Sequence, residues 1–464
     1  MTDTLATLAG RLVLRGEPGY EQARVNRIFN ARRGDRQPAA VLLAESDEDV
    51  IAGVRLARER GWQITVRAGG HSWASWSLRD DALLIDLGAM RDIEYDGQSG
   101  IATARPAVQG GNQLVPFLTK RDRAFPGGHC PSVGIGGFLL QGGQGWNGRL
   151  KGWACESVVA VDVVTADGEV VHADETENSD LLWAARGAGA GFPGVVVWFY
   201  LQTYPKPVAM WHDTWTFQLD DGYELFSWLH ELLPTLDRRA EPVVAATRLG
   251  DVPLYPDVGH PGGTVLLLHS TAMADSDEEA QELLAPFAHG PLRHRALGHV
   301  QAPTSLAAEG LAQAAQNPEN HRYAVDCTWT DAPAEELAPL LERLYGGLDT
   351  EHSFSIWYGW APFRPLPDMA FSVEGNIYIA TYCIYTDPAD DEKYRSWVHQ
   401  RTGEIADQAG VGVYLGDTDF TRRQDRFLSD QHYERLLRIR ESRDPDGLFS
   451  SYLTADRAGL NRHA

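Results

Sequence analysis

The sequence predicts an α+β protein of more than one domain. Three observations carry this. A βαβ pattern spans residues 38–70, glycine-rich loops crowd the first 200 residues, and the texture changes near residue 208. Beyond that point glycine clusters thin out, and helix-like stretches alternate with strand-like ones. At about 100–200 residues per domain, 464 residues allow two to four domains, or two large ones.

In "PAAVLLAESDEDVIAGVRLARERGWQITVRAGG" a strand is expected over 39–43. Ser46 is placed to cap a helix whose first turn holds Asp47, Glu48 and Asp49, where acids suit the helix dipole. Val50, Val54 and Ala57 share one face, and Gly61 ends the helix. A strand over 63–67 runs directly into the loop "RAGGHSW", which holds His71. Strand, turn and short helix then alternate as far as "GGHCPSVGIGG", residues 127–137, where five glycines and a proline surround Cys130. "SVVAVDVVTADGEVVHA" is a hairpin turning at Ala166, Asp167 and Gly168. A capped helix opens at Ser179, and a strand covers 195–203. In the later part, "DSDEEAQELLAPFA" and "APAEELAPLLERLYGG" have helical character, whereas "GTVLLLHSTA" and "GNIYIATYCIYT" have strand character. An amphipathic helix over 433–442 stops at Asp444-Pro445.

Composition excludes several classes. A net charge of −23 repels phosphate backbones, so no nucleic-acid partner is expected. The four cysteines, Cys130, Cys155, Cys327 and Cys383, form no CxxC pair, so no zinc ribbon or other metal site is expected. Cys155, Cys327 and Cys383 lie in apolar or strand-like contexts and are expected in the core. No basic start with a following apolar run opens the chain, and no apolar segment is long enough to span a membrane. The expectation is a cytoplasmic protein without a membrane partner; the bias to Arg, Ala and Gly points to a bacterial, GC-rich source. The 14 tryptophans suffice for a large core and a substrate pocket.

Glycine loops after strands bring backbone N–H groups close to a pyrophosphate. "RAGGHS", "GIGGFLLQGGQG" and "RGAGAGFPG" are three such loops. None is a GxGxxG leading into a long helix with a ribose-binding acid, so the Rossmann fingerprint is absent. A large phosphate-bearing cofactor on another scaffold is implied.

Four landmarks occur in order between about residues 38 and 450: "VRAGGHSW", "CPSVGIGGFLLQGGQG", "DLLWAARGAGAGFPGVV" and "YERLLRIRESRDPDGLF". Together they resemble the berberine-bridge-enzyme-like flavin oxidases of the vanillyl-alcohol-oxidase superfamily. That resemblance implies a PCMH-type FAD-binding domain of two α/β subdomains over 1–206. It also implies a substrate domain over 207–411, with an antiparallel sheet covered by helices, and a C-terminal segment over 412–464 that returns to the first domain. It further implies FAD bonded twice, through His71 to the 8α-methyl carbon and through the Cys130 thiolate to ring carbon 6. Imidazole and thiolate are nucleophiles suited to those electron-poor carbons. Arg67, Ala68, Gly69, Gly70, Ser72, Val133, Gly134, Gly137, Gly143 and Val195 are the remaining expected cofactor contacts.

The same resemblance implies hydride removal to flavin while a base takes a proton. "GVYLGDTDF" supplies Tyr414 as the expected base, although Gly416 stands where relatives carry Asn. Tyr414 as a plain strand aromatic is the competing reading. Tyr382 and Gln144 are further catalytic candidates, with Tyr378 a neighbour whose facing depends on register. Thr381 holds the position where relatives often carry Gln or Glu. Trp73 and the aromatic run "SIWYGW" either face substrate or pack in the core. Val133 matches a position where valine accompanies oxidase behaviour, which implies oxygen as acceptor and hydrogen peroxide as product. The expected partners are oxygen and a small molecule such as a carbohydrate, phenolic alcohol or natural product; the oligomeric state is left open. An oxidative cyclase, a flavin carrier without turnover and a plain phosphate-binding protein are the alternatives.

Overall fold

Strand β1 (Leu12–Leu14) precedes the βαβ unit, which is β2 (Ala40–Leu43), α1 (Asp47–Arg60) and β3 (Ile64–Arg67). Ser46 Oγ accepts the Asp49 N–H at 3.3 Å, as its position suggests. Gly61 closes the helix in the left-handed region at φ 65°, and Val50, Val54 and Ala57 are buried. β4 (Leu83–Asp86) inserts between β2 and β3, parallel to both, and gives the order β1-β2-β4-β3.

The computed structural model describes residues 8–248, 263–361 and 364–453. The expected lack of a leader rests partly on residues 1–7, and the expected C-terminal segment extends to 464. Both therefore lie in part outside the described residues.

A second, antiparallel sheet has the order β5-β6-β9-β7-β8. It is made of β5 (Ile93–Asp96), β6 (Ile101–Ala104), β7 (Val158–Val164), β8 (Val170–Ala173) and β9 (Val195–Gln202). β7 and β8 are the expected hairpin. Two short helices connect this region: α2 (Ile135–Leu140) follows the Cys130 loop, and α3 (Ser179–Ala185) precedes β9. The residue before α3, Asn178, is left-handed at φ 47° and makes no side-chain cap, so Ser179 is the first helical residue rather than the cap.

Apart from a two-residue pair, Arg123–Ala124 with Tyr204–Pro205, the remaining strands form one antiparallel eight-stranded sheet. They are β10 (Ala209–Gln218), β11 (Ala240–Arg248), β12 (Thr264–Ala274), β13 (Gly298–Pro303), β14 (Arg322–Thr330), β15 (Phe354–Gly359), β16 (Ile377–Tyr385) and β17 (Gly410–Gly412). Their order is β13-β10-β12-β11-β15-β16-β14-β17. Helices α4 (Gly222–Leu232), α5 (Asp277–Ala288), α7 (Ala334–Gly346) and α8 (Asp391–Ala409) cover one face, where Phe226, Leu284, Leu341 and Trp357 share an apolar core. α6 (Leu306–Gln316) stands apart from that layer beside the cavity described below. The sheet's other face looks toward the glycine loops.

The chain then returns. α9 (Asp430–Arg443) starts three residues earlier than periodicity suggests, because Ser429 Oγ accepts the His432 N–H at 3.3 Å and fixes its first turn. It packs on α3, with Arg443 2.6 Å from Asp180. Beyond it, Ile64 N donates to Leu448 O at 2.7 Å and Ser450 N donates to Ile64 O at 2.9 Å. Phe449 thereby extends the first sheet along β3.

Candidate active site

The two predicted loops meet face to face. A Cβ on Gly69 would lie 2.5 Å from Gly134 N, and one on Gly134 would lie 2.8 Å from Gly69 Cα, so neither position accepts a side chain without displacing the other loop. Gly70 has φ 78°, and a Cβ there would collide with the Arg27 carbonyl. This contact explains why two loops distant in sequence are both glycine-rich.

His71 and Cys130 come together across that contact. Ser132 Oγ lies 3.2 Å from His71 Nε2 and 3.9 Å from Cys130 Sγ, so one hydroxyl serves both. The His71 ring stacks on Phe29 with centroids 4.5 Å apart. Burial pushes the His71 pKa down to about 4 against the Ser132 hydrogen bond, so the imidazole is neutral at neutral pH. Burial also raises the Cys130 thiol, with Ser132 opposing.

Both residues open on a cavity of about 700 Å³ between the glycine loops and the eight-stranded sheet. Of the candidate cofactor contacts and catalytic residues, Ala68, Gly69, Gly70, Ser72, Val133, Gly134, Gly137, Gln144, Tyr382 and Tyr414 line it. Arg67 lines it as well, through its main chain, whereas Val195 and Gly143 do not. Arg67 turns its guanidinium away, donating to Asp86 Oδ2 at 2.6 and 2.9 Å and to the Ala23 and Arg24 carbonyls, which leaves only its main chain for the cavity. Val195 points into the core beneath α1, because side chains alternate along β9 and it is Val196 that reaches the cavity. Gly143 is not on the cavity wall, and its N–H is taken by the Tyr414 hydroxyl at 3.2 Å.

The same alternation decides the tyrosine strand. On β16, Tyr378 and Tyr382 point one way, and Thr381 points the other, where it bonds Ser355 Oγ at 2.8 Å. Thr381 therefore does not reach the cavity. In "SIWYGW", Ile356 and Tyr358 line the cavity while Trp357 is core. Cys155, Cys327 and Cys383 are buried, as expected.

Sequence reading missed the carboxylate at the centre. Asp417 lines the cavity three residues after Tyr414. Its Oδ2 accepts from Tyr378 at 2.6 Å and from Tyr382 at 2.9 Å, and its Oδ1 accepts from Trp73 Nε1 at 2.8 Å. Burial raises its pKa above the usual carboxylate range, and the three hydrogen bonds only partly offset this. Tyr414 is raised strongly by burial and by the Asp417 charge, with no cation to favour a phenolate. Also missed are His129, beside Cys130 in the loop, and Glu241. Glu241 accepts from Tyr358 at 2.9 Å and from the Asn147 and Arg149 N–H groups at 2.7 and 3.0 Å. The acid of "YLGD" was a local signal; Glu241 had none.

The residues fit a flavin dinucleotide. The abutting glycine loops leave backbone without side chains along one wall. Gln144 Nε2 and Ser450 Oγ are buried polar atoms on that wall with no protein partner, which a polar cofactor would satisfy. Among the described residues, no helix is long and apolar enough to cross a membrane.

Fold and site together define an FAD-dependent oxidoreductase of the PCMH type. Residues 38–174 match the FAD binding domain family. The FAD-linked oxidoreductase janO of Penicillium janthinellum is 34% identical over 444 residues, covering 95% of this chain and 96% of that one. The xylooligosaccharide oxidase of Thermothelomyces thermophilus is 39% identical over 172 residues, 37% of this chain and 34% of that one. Among solved structures, the berberine-bridge-enzyme-like protein 1 of Physcomitrella patens superposes with a TM-score of 0.82 at 19% identity, covering 100% of this chain and 99% of that one. The chain belongs to the berberine-bridge-enzyme-like FAD-linked oxidases. The two curated relatives are fungal and lend no support to a bacterial source.

Proposed function

We propose that this enzyme is a bicovalent FAD oxidase that removes hydride from the carbinol carbon of a largely apolar alcohol, with oxygen as the second substrate and hydrogen peroxide as product. The observation that carries it is Asp417, a cavity-facing carboxylate that gathers two tyrosine hydroxyls and one indole N–H. Bound FAD supplies the hydride acceptor. Tyr382 takes the proton of the substrate hydroxyl as it passes its own to Asp417, whose raised pKa suits it to receive one. Trp73 and Tyr378 hold the carboxylate in place. Tyr414 is a wall residue of the same pocket, and its oxygen is engaged by Gly143. Val243, Ala245, Leu267 and Ile356 make the middle of the sheet-side wall apolar, which favours a phenolic or natural-product alcohol over a sugar. Val133 on the cavity wall agrees with access for oxygen. Ser132 aligns both anchors for their bonds to the flavin. We assign the chain to the cytoplasm, acting without nucleic-acid or membrane partners.

Acid precipitation followed by mass spectrometry of the pellet tests the attachment. Flavin is expected to stay with wild-type protein and with the His71→Ala and Cys130→Ala single variants, and to be released from the double variant. Release from either single variant refutes double attachment. A donor panel of aliphatic, benzylic and oligosaccharide alcohols, read by bleaching of the flavin and by peroxide formation, tests the rest. Bleaching by oligosaccharides alone would overturn the apolar assignment.

A further inference from the structure

The sheet side of the cavity carries a second polar cluster, which plays no part in the proton transfer above. β10 and β12 pair so that Thr214 lies opposite His269 and His212 lies opposite Thr271. His212 and His269 are therefore diagonal neighbours on one face of the sheet. Glu309 reaches them from the first turn of α6. Its Oε1 is 2.9 Å from His212 Nδ1, and its Oε2 is 3.1 Å from His269 Nε2. The three ligand atoms lie within 4.8 Å of one another, the one such metal-competent group among the described residues. All three residues line the cavity, with Glu309 buried and the histidines half-buried.

We propose that His212 Nδ1, His269 Nε2 and a Glu309 oxygen bind one divalent transition-metal ion of the zinc class, with an open coordination position facing the substrate cavity. Two imidazoles and one carboxylate are the donor set such ions take, and three protein ligands leave room for a fourth from solvent or substrate. Calcium and magnesium prefer all-oxygen sites. The outer partners are in place. Thr214 Oγ1 lies 2.7 Å from His269 Nδ1, able to accept its N–H and so direct Nε2 at the metal; Thr304 donates to Glu309 Oε1 at 2.6 Å. The two histidines stand on neighbouring strands at the centre of a pair ten residues long, so the ligands are held by rigid elements. An oxygen of the substrate would complete the coordination, which makes the site a selector for substrates with a second oxygen remote from the oxidised carbon.

The flavin-containing enzyme, freed of metal by dialysis against EDTA and then titrated with Zn²⁺, tests this by calorimetry and by metal analysis after desalting. One zinc per chain is expected. His212→Ala and His269→Ala should weaken it at least about 100-fold, and Thr214→Val, which keeps every ligand, about 10-fold. His172→Ala, at a surface histidine on the second sheet, should bind as wild type. Flavin absorbance shows whether each variant is folded, and Thr214→Val decides the matter if a histidine variant is not. Wild-type protein that keeps no zinc, or histidine variants that keep it undiminished, would overturn the proposal and leave a hydrogen-bonded triad.

Discussion

Asp417 illustrates how a single carboxylate acquires a role from its surroundings. Water would hold its pKa at about 3.9. Burial raises it, and the donors from Tyr378, Tyr382 and Trp73 restore only part of the difference. A base acts only when deprotonated, so the rate of flavin reduction at saturating donor should rise with pH through the Asp417 titration, with the acid limb displaced upward from the ordinary carboxylate range. Asp417→Asn keeps the shape, replaces the proton-accepting carboxylate with an amide, and should slow reduction by about 10²-fold or more. Stopped-flow reduction across pH checks both; a variant that keeps the limb would place the base elsewhere. Single residues were unevenly legible. His71 and Cys130 stood out because glycine frames them. Asp417 lies only three residues after Tyr414, but a lone acid in a loop carries no sign of the hydroxyls that the fold gathers on it. Glu241, His212, His269 and Glu309 carry no local pattern, since only the folded sheet brings them together.

Among the elements, strand parity explains why Val196 rather than Val195, and Tyr382 rather than Thr381, faces the cavity. The sequence showed that strands exist over 195–203 and in "GNIYIATYCIYT", but not which parity faces the cavity. A shift of one residue exchanges Val195 with Val196 and Thr381 with Tyr382. Partner strands settle it, and partners are remote in sequence. The end of β3 shows the energetic side of this. Arg67 and Asp86 are register partners on β3 and β4, both almost wholly buried, with a 2.6 Å contact. Asp86 Oδ1 also accepts the Gly88 N–H at 2.7 Å, so the pair fixes the point where β3 becomes the His71 loop. Replacing a buried ion pair by apolar residues is often tolerated, whereas removing one partner leaves a charge stranded. Asp86→Ala should therefore destabilise the protein by about 3–5 kcal/mol. Denaturant unfolding measures this, and flavin incorporation should fall with it. A midpoint equal to wild type would show that Arg67 finds other partners.

The whole molecule is organised around a cavity that no single sheet encloses. Two smaller sheets supply the glycine loops, the large sheet supplies the opposite wall, and the chain end closes the seam. Phe449, Ser450 and Ser451 line the cavity, although they follow every strand of the large sheet. Their placement depends on the backbone exchange between Ile64 and residues 448 and 450, on Phe449 in the core beneath α1, and on the Asp444 carboxylate. That carboxylate accepts the Leu448 and Phe449 N–H groups at 2.7 and 2.9 Å. A buried phenylalanine truncated to alanine typically costs about 3–5 kcal/mol. Phe449→Ala should lose stability on that scale. Because its backbone runs along the strand that leads to His71, it should also lose flavin content, whereas a cavity of similar size in the helix-covered core, as in Leu341→Ala, should lower stability and leave flavin content per folded chain unchanged. Absorbance at the flavin band, normalised to folded protein, separates the two. Equal flavin content in both variants would mean that the C-terminal return braces the fold without shaping the cofactor site.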